Sequence, residues 1–311
     1  MNSSRHRPGA PRFAPRIAAI LCLGLAALVG CESAQPVHRT DPLPPAQGIP
    51  SYSEIARRHN ARLAGLDRLW ARADLELTWF ERDGRRRFES ADDSRLILSL
   101  PDRLALSVGK LGHEVLWAGH DDQRYWVFDL GEAKTLYVGR HEGRGDRAGA
   151  AFPLGLPVRP RDLTRLLGLM PIDPDRLPPS PRVLWLDGRY VIEPPGMGVR
   201  VSIDPVSFHA RRVDLLNEAG ASVLFAELSD HAQVRQHKKP DSSWPWAPRR
   251  ADLTPVGRPD RVTLLLWDMK DCRRERCIKD AQFDLEVLTQ AYEPARVVDL
   301  DEEPRGQAGA P

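Results

Sequence analysis

The chain has 311 residues, with 45 Lys and Arg against 43 Asp and Glu and a formal net charge of +2. Arg5, Arg7, Arg12 and Arg16 supply the excess, and from Cys31 onward the balance is 41 basic to 43 acidic. A near-neutral body speaks against a nucleic-acid binder, which carries a strong basic excess, and its length suffices for one large domain or two small ones with a real core.

The four arginines precede an apolar stretch over 17–30, with no acid among them. A basic start, a short apolar run and a small residue before the cut describe a secretory signal; the run falls short of the roughly 20 residues that span a bilayer. It ends Leu28-Val29-Gly30-Cys31, which resembles a bacterial lipobox. That resemblance implies a signal peptide over 1–30, cleavage before Cys31, and acyl chains such as palmitate on the thiol and new amine of Cys31. Each buried methylene contributes about 0.8 kcal/mol and one chain anchors only marginally, so two or three hold the protein firmly. In Gram-negative lipoproteins an Asp after the Cys favours the inner membrane; Glu32 stands there, which favours the outer. The expected place is the bacterial cell envelope, lipid-anchored and facing the periplasm. An ordinary signal with an incidental Cys is the alternative. Residues 31–50 carry Pro36, Pro42, Pro44, Pro45 and Pro50 and read as a tether, reaching about 25 Å as a coil.

Order is expected from Ser51. Ser51-Tyr52-Ser53-Glu54 has capping-box spacing,. Tyr52, Ile55, Ala56, Leu63, Leu66 and Trp70 then fall at helical intervals, predicting an amphipathic helix over 52–70. His59, beside that stripe, reads as a packed or surface histidine. From Ala71 the period becomes two: Ala73, Leu75, Leu77 and Trp79 alternate with polar residues, the mark of a half-buried strand. Asp83-Gly84 signals a hairpin,. Strands are expected at 87–90, 96–100, 104–108, 115–117, 126–128 and 136–138. With no helices between them they form an antiparallel meander.

The stretch 143–160 is rich in Gly, Arg and Pro; Arg144-Gly145-Asp146 is an incidental tripeptide there. Pro160 opens a short helix bearing Leu163, Leu166, Leu167 and Met170, ended by Pro171 and Pro174. Strand patterns resume at 182–187, 190–192, 199–203, 208–216 and 223–228. Residues 233–255 read as irregular. Strands at 262–267 and 283–288 follow, and the barrel is expected to hold about ten or eleven strands. Asp299, Asp301, Glu302 and Glu303 read as a solvated acidic end before a disordered tail over 303–311. Cys22 leaves with the signal and Cys31 takes lipid, so only Cys272 and Cys277 remain. In an oxidising compartment they pair locally, contributing about 2 kcal/mol. Free thiols or a metal or redox pair are the alternatives, although the spacing is not Cys-x-x-Cys and no further ligand is near.

The helix Ile55-Ala-Arg-Arg-His-Asn-Ala-Arg-Leu63-Ala-Gly-Leu66-Asp-Arg-Leu69 leads into Ala71-Arg-Ala-Asp-Leu-Glu-Leu. Leu98-Ser-Leu-Pro-Asp-Arg-Leu104, Gly112-His-Glu-Val-Leu-Trp and Asp121-Asp-Gln-Arg-Tyr-Trp126-Val-Phe-Asp129 follow. This order is similar to the LolA/LolB-like superfamily of periplasmic lipoprotein carriers and acceptors, over 51–138 and more weakly to about 301. The resemblance implies a mainly β fold with helices (α+β): an unclosed antiparallel β-barrel, with the N-terminal helix and the short middle helix as a lid, in one half-barrel domain over 51–302. It also implies an apolar cavity for lipids or lipoprotein acyl chains. A lipid-anchored member looks more like the acceptor LolB than the LolA carrier.

Leu75, Leu77, Trp79, Leu98, Leu106, Trp117 and Trp126 are the candidate lining. Core packing is the simpler reading of each, because burial alone explains an apolar residue on one strand face. Trp244 and Trp246, set among prolines after Lys238 and Lys239, suit a membrane or partner loop; rings tucked against the barrel wall are the alternative. The run at 152–156 is a weaker loop of the same kind. Gly-x-Ser-x-Gly, His-Glu-x-x-His and phosphate-loop motifs are absent from the sequence,. His231 and His237 lie close together without a third ligand. No enzyme, cofactor or metal is therefore expected. The leading expectation is a lipid-binding module; an envelope scaffold with a protein partner is the alternative, and an envelope hydrolase a remote one.

Overall fold

The computed structural model describes residues 48–81, 83–141, 159–176, 182–272 and 277–302. The signal, Cys31, most of the tether, the Arg144-Gly145-Asp146 and 152–156 segments and the tail over 303–311 lie outside them. Helix α1 spans Tyr52–Leu63, with Ser51 Oγ accepting from the Glu54 backbone N–H at 3.2 Å. It ends seven residues before the expected end at Trp70. Gly65 takes a left-handed backbone, φ 81°, which glycine adopts without a Cβ penalty and which stops the helix. Leu66 and Trp70 fit a helical stripe by spacing, yet Leu69, Ala71, Ala73 and Leu75 fit period two equally, and Trp70 belongs to the strand.

Six strands follow as a meander: β1 (Arg68–Phe80), β2 (Arg86–Ser99), β3 (Arg103–Lys110), β4 (His113–His120), β5 (Arg124–Asp129) and β6 (Thr135–Arg140). The expected strands at 87–90 and 96–100 are one strand, β2, with a bulge against β1 between Ala73 and Leu75. Helix α2 (Pro160–Leu166) starts at Pro160, whose missing N–H costs nothing in a first turn,. Then come β7 (Leu184–Leu186), β8 (Arg189–Ile192), β9 (Val199–Ile203), β10 (Ala210–Leu216), β11 (Ser222–Gln233), β12 (Trp246–Pro255) and β13 (Arg261–Lys270). The expected irregular stretch 233–255 is thus half strand.

The expected last strand over 283–288 is instead a 3-10 turn, Asp280–Phe283, and helix α3, Leu285–Tyr292. Asp284 decides this locally: its carboxylate accepts from the Val287 backbone N–H at 3.1 Å, an N-cap bond,. Strand β14 (Arg296–Asp299) then pairs in parallel with β6. The acidic end is therefore partly structural, and Asp301 accepts from the Arg140 backbone N–H at 2.6 Å.

All fourteen strands of the described residues join one sheet, in the order β14-β6-β5-β4-β3-β2-β1-β13-β12-β11-β10-β9-β8-β7. The sheet is mixed rather than purely antiparallel, and larger than the ten or eleven strands expected. It is unclosed, since β14 and β7 end the order. It is also curled. Helix α2 touches both β3 and β10, which stand six strand spacings apart in that order, about 29 Å on a flat sheet. A helix is only about 10 Å across, so the sheet bends around it.

Two apolar layers result. The inner one unites α1, α2 and the helix-facing side of both halves of the sheet. The outer one is smaller: Ile97, Ala105, Trp117, Trp126, Phe128 and Leu136 under Phe283, Leu285 and Leu288. Cys272 and Cys277 are disulfide-bonded, Cα to Cα 5.7 Å, tying the end of β13 to this outer cover. Cys277→Ser is expected to lower stability by about 2 kcal/mol and to speed amide exchange in 285–292 above that in β2. Denaturant midpoints and exchange mass spectrometry measure both; unchanged protection in α3 would show that packing alone holds the cover.

Candidate functional site

The inner face is where a ligand would go. Leu75, Leu98 and Leu106 lie in that cluster, buried, and Leu77 packs against it half-buried. Alternation then divides the remaining candidates. Leu98 faces inward and Ile97 outward; Leu116 and Ala118 face inward and Trp117 outward; Val127 faces inward, and Trp126 and Phe128 outward. Trp117 and Trp126 are therefore core of the outer layer, where Tyr292 of α3 meets Trp117 and Phe128 at ring distances of 6.1 and 5.2 Å. Trp79 is 37% exposed near the β1–β2 tip, beside exposed Phe80 and Phe88.

The inner face is covered by short helical pieces. Helix α1 turns Tyr52, Ile55, Ala56, His59 and Leu63 to it. The helix is fastened to the segment after α2: the Asn60 amide donates to Ile172 O at 2.7 Å and accepts from Ile172 N–H at 2.9 Å, and Ser53 Oγ donates to Pro174 O at 2.7 Å. On its other side the Arg62 Nε donates to Ser207 O at 2.7 Å. The helix and the segment 167–174 thus form one cover.

Histidines line the seam of that cover. A pocket of about 10 Å³ is walled by His59 and Arg62 of α1, Leu167, Gly168 and Leu169 after α2, and His209, His231 and Trp246 from the sheet. That volume suits about one water. The His209 and His231 rings stack at 4.4 Å, and His209 leans on Trp246 at 5.2 Å. Among the described residues, His209 Nε2 and His231 Nδ1 have no hydrogen-bond partner. Burial, with Arg62 and Arg211 near, pulls His209 down to about 4. Burial, with His209 and Arg211, pulls His231 down to about 3. His59, bonded to Phe208 O at 3.3 Å, is also lowered by burial. Under α2, His120 Nε2 meets Thr164 Oγ1 at 3.3 Å and burial lowers it to about 4. His141 lies 5.5 Å from His120, ring to ring, and burial lowers it too.

Sequence reasoning missed this seam. It paired His231 with His237, which is exposed, whereas the β10–β11 hairpin brings His231 to His209. The only sequence signal was the turn at 217–220 that sets the hairpin register, Arg212 opposite Glu227. Trp246 walls the pocket, while Trp244 sits half-buried in its own loop, its indole N–H donating to Lys239 O at 3.1 Å. Among the described residues no group of three or more His, Cys, Asp or Glu is placed to hold a metal ion.

A curled, open sheet wrapped about a helical plug defines the class of fold. No family model and no curated protein matches this chain. Similar solved structures include a putative outer membrane lipoprotein-sorting protein domain from Vibrio parahaemolyticus, with TM-score 0.49 and 14% identity over 76% of this chain and 97% of that one. A LolA superfamily protein from Nitrosomonas europaea has TM-score 0.46 and 11% identity over 76% and 99%. A DUF1329 family protein from Desulfovibrio piger has TM-score 0.42 and 11% identity over 76% and 97%.

Proposed function

We propose that this chain is a membrane-anchored binding module that takes lipid or lipoprotein acyl chains between its helical cover and its sheet. One observation carries the reading: among the described residues, a continuous apolar face, drawn from both halves of a fourteen-stranded sheet, is covered only by α1, α2 and the segment after α2 that is bonded to α1. A second sheet would be a permanent lid; short amphipathic helices held by a few side-chain bonds can lift. Lifting is necessary, because the pocket at the seam measures about 10 Å³, whereas small-molecule sites run to about 300–1,000 Å³. Leu75, Leu77, Leu98 and Leu106 would line the opened trough. Lipid on Cys31 would hold the body at the envelope membrane, facing the periplasm, on the tether over 31–50. No catalytic group is invoked, since binding needs only apolar area.

The filled inner face favours a second reading, a scaffold whose core is permanently packed and whose partner is a protein. The test uses a Cys31→Ser variant of the whole chain, exported without its own anchor and studied by native mass spectrometry with phospholipid present. A stoichiometric acyl ligand, lost in Leu98→Ala, is the expected result. A ligand-free protein would overturn the binding reading and favour the scaffold.

A further inference from the structure

Five histidines with lowered proton affinity, His59, His120, His141, His209 and His231, all stand where the helical cover meets the sheet or beside that contact. His113 and His237 are exposed and lie elsewhere. The clustering is geometric. His59 comes from α1, His209 precedes β10 and His231 lies in β11, yet all three wall one pocket.

We propose that the His59–His209–His231 seam is an acid-opened latch, releasing α1 from the inner face and regulating access to the acyl-chain trough. The idea rests on the binding reading above for its purpose, but not for its physics. A proton added to His209 Nε2 or His231 Nδ1 would create a donor with no acceptor, since neither atom has a partner. An unmatched buried donor opposes the closed state, and a charged one opposes it more.

The surrounding charges push the same way. Helix α1 faces the stacked pair with Arg62, and β10 brings Arg211. The turn before β10 offers Asp204, but its carboxylate is already engaged by Ser207 N–H at 2.8 Å, Val206 N–H at 3.0 Å and Arg211 Nε at 3.3 Å. The wall after α2 (Leu167, Gly168, Leu169) and the β12 wall (Trp246, Pro248) carry no charge. Among the described residues, therefore, no spare anion receives a new imidazolium.

The sign follows. With α1 seated the rings are held neutral; once exposed they take up protons below about 6.5. The open state binds more protons, so its share rises as pH falls from about 6.5 towards 4, by at most about tenfold per pH unit for each histidine. Above about 6.5 the histidines favour neither state. The α2 seam is less suited to this role. His120 and His141 there face Arg161 and Asp121, and half-buried Asp162, raised by desolvation against the pull of Arg165, Arg159 and Arg161, is better protonated with α2 seated.

The test follows amide exchange of residues 52–63 in the full-length protein at pH 7 and pH 5, corrected for intrinsic rates, with β2 amides as the control. The latch predicts that opening of α1 grows at least about tenfold while β2 stays protected. It also predicts that a His209→Gln, His231→Gln double variant loses that response. Unchanged α1 protection at pH 5, or an undiminished response in the folded double variant, would overturn it. Should the double variant not fold, nuclear magnetic resonance titration of the wild-type rings decides. Midpoints that follow the loss of α1 protection support the latch, and midpoints independent of it sink it. No lipid enters this experiment, so an acid-opened cover without acyl ligand would refute the binding reading alone, and acyl binding behind a pH-insensitive cover would refute the latch alone.

Discussion

Trp126→Ala is expected to lower stability by about 3–5 kcal/mol and to leave acyl-chain retention by the folded protein unchanged. Leu98→Ala is expected to cost about 2–5 kcal/mol and to reduce retention. Both side chains are fully buried, at 0% exposure, so energy alone does not distinguish them. Their faces do. Leu98 belongs to the layer under α1 and α2, and Trp126 to the layer under α3. The Trp126 indole also fills the space over Gly119, where an added Cβ would lie 2.8 Å from Nε1. Truncating the ring removes one of the two buried tryptophans of the outer layer and leaves a void that a strand backbone cannot close. Denaturant midpoints give the stability loss and native mass spectrometry the retained ligand. Loss of ligand in folded Trp126→Ala, with retention in Leu98→Ala, would place the trough on the wrong side of the sheet.

Gly109→Ala is the second large effect expected. Gly109 follows a bulge in the β3–β4 pairing, between Val108 and Gly109, and a Cβ there would collide with the backbone carbonyl of Asp93 in β2. A backbone atom cannot rotate away as a side chain would. Residues Asp93 and Ser94 must shift, and with them the bond from Gly109 N–H to Ser94 Oγ at 3.3 Å. Overpacking of this kind costs about 1–3 kcal/mol or more. By contrast, Gly112→Ala at the adjacent turn meets open space but keeps a left-handed φ of 79°, and should cost about 1 kcal/mol. Thermal or denaturant unfolding of the two variants checks the order; a milder effect at Gly109 than at Gly112 would mean that β2 yields there.

Much of the first half of the fold was legible in the residues. Period-two runs from Ala71 to Val138, broken by Asp83-Gly84 and similar turns, specify a meander with little tertiary help, because adjacent strands pair through short connections. Short elements were less legible. Residues 283–288 alternate well enough to pass for a strand, and one cap bond at Asp284 turns them into helix. Residues 246–255 look irregular because Pro245, Pro248 and Pro255 interrupt the pattern, although β12 pairs with β11 through much of its length.

The sequence by itself determined the mainly β class, the helix capped by Ser51, the candidate disulfide partners and the strand alternation that puts Leu98 and Ile97 on opposite faces. Those features depend on neighbours a few residues apart, and the two cysteines stand only five positions apart. Only the tertiary structure decided which face lies under α1 and α2, that Trp117 and Trp126 belong to the other, and that His59, His209 and His231 share one pocket. Alternation names two faces but not their covers, and a cover arrives from residues up to about 150 positions away, as His59 and Phe208 show. Nothing local in the chain encodes that meeting; it follows from fourteen strands curling around a helix.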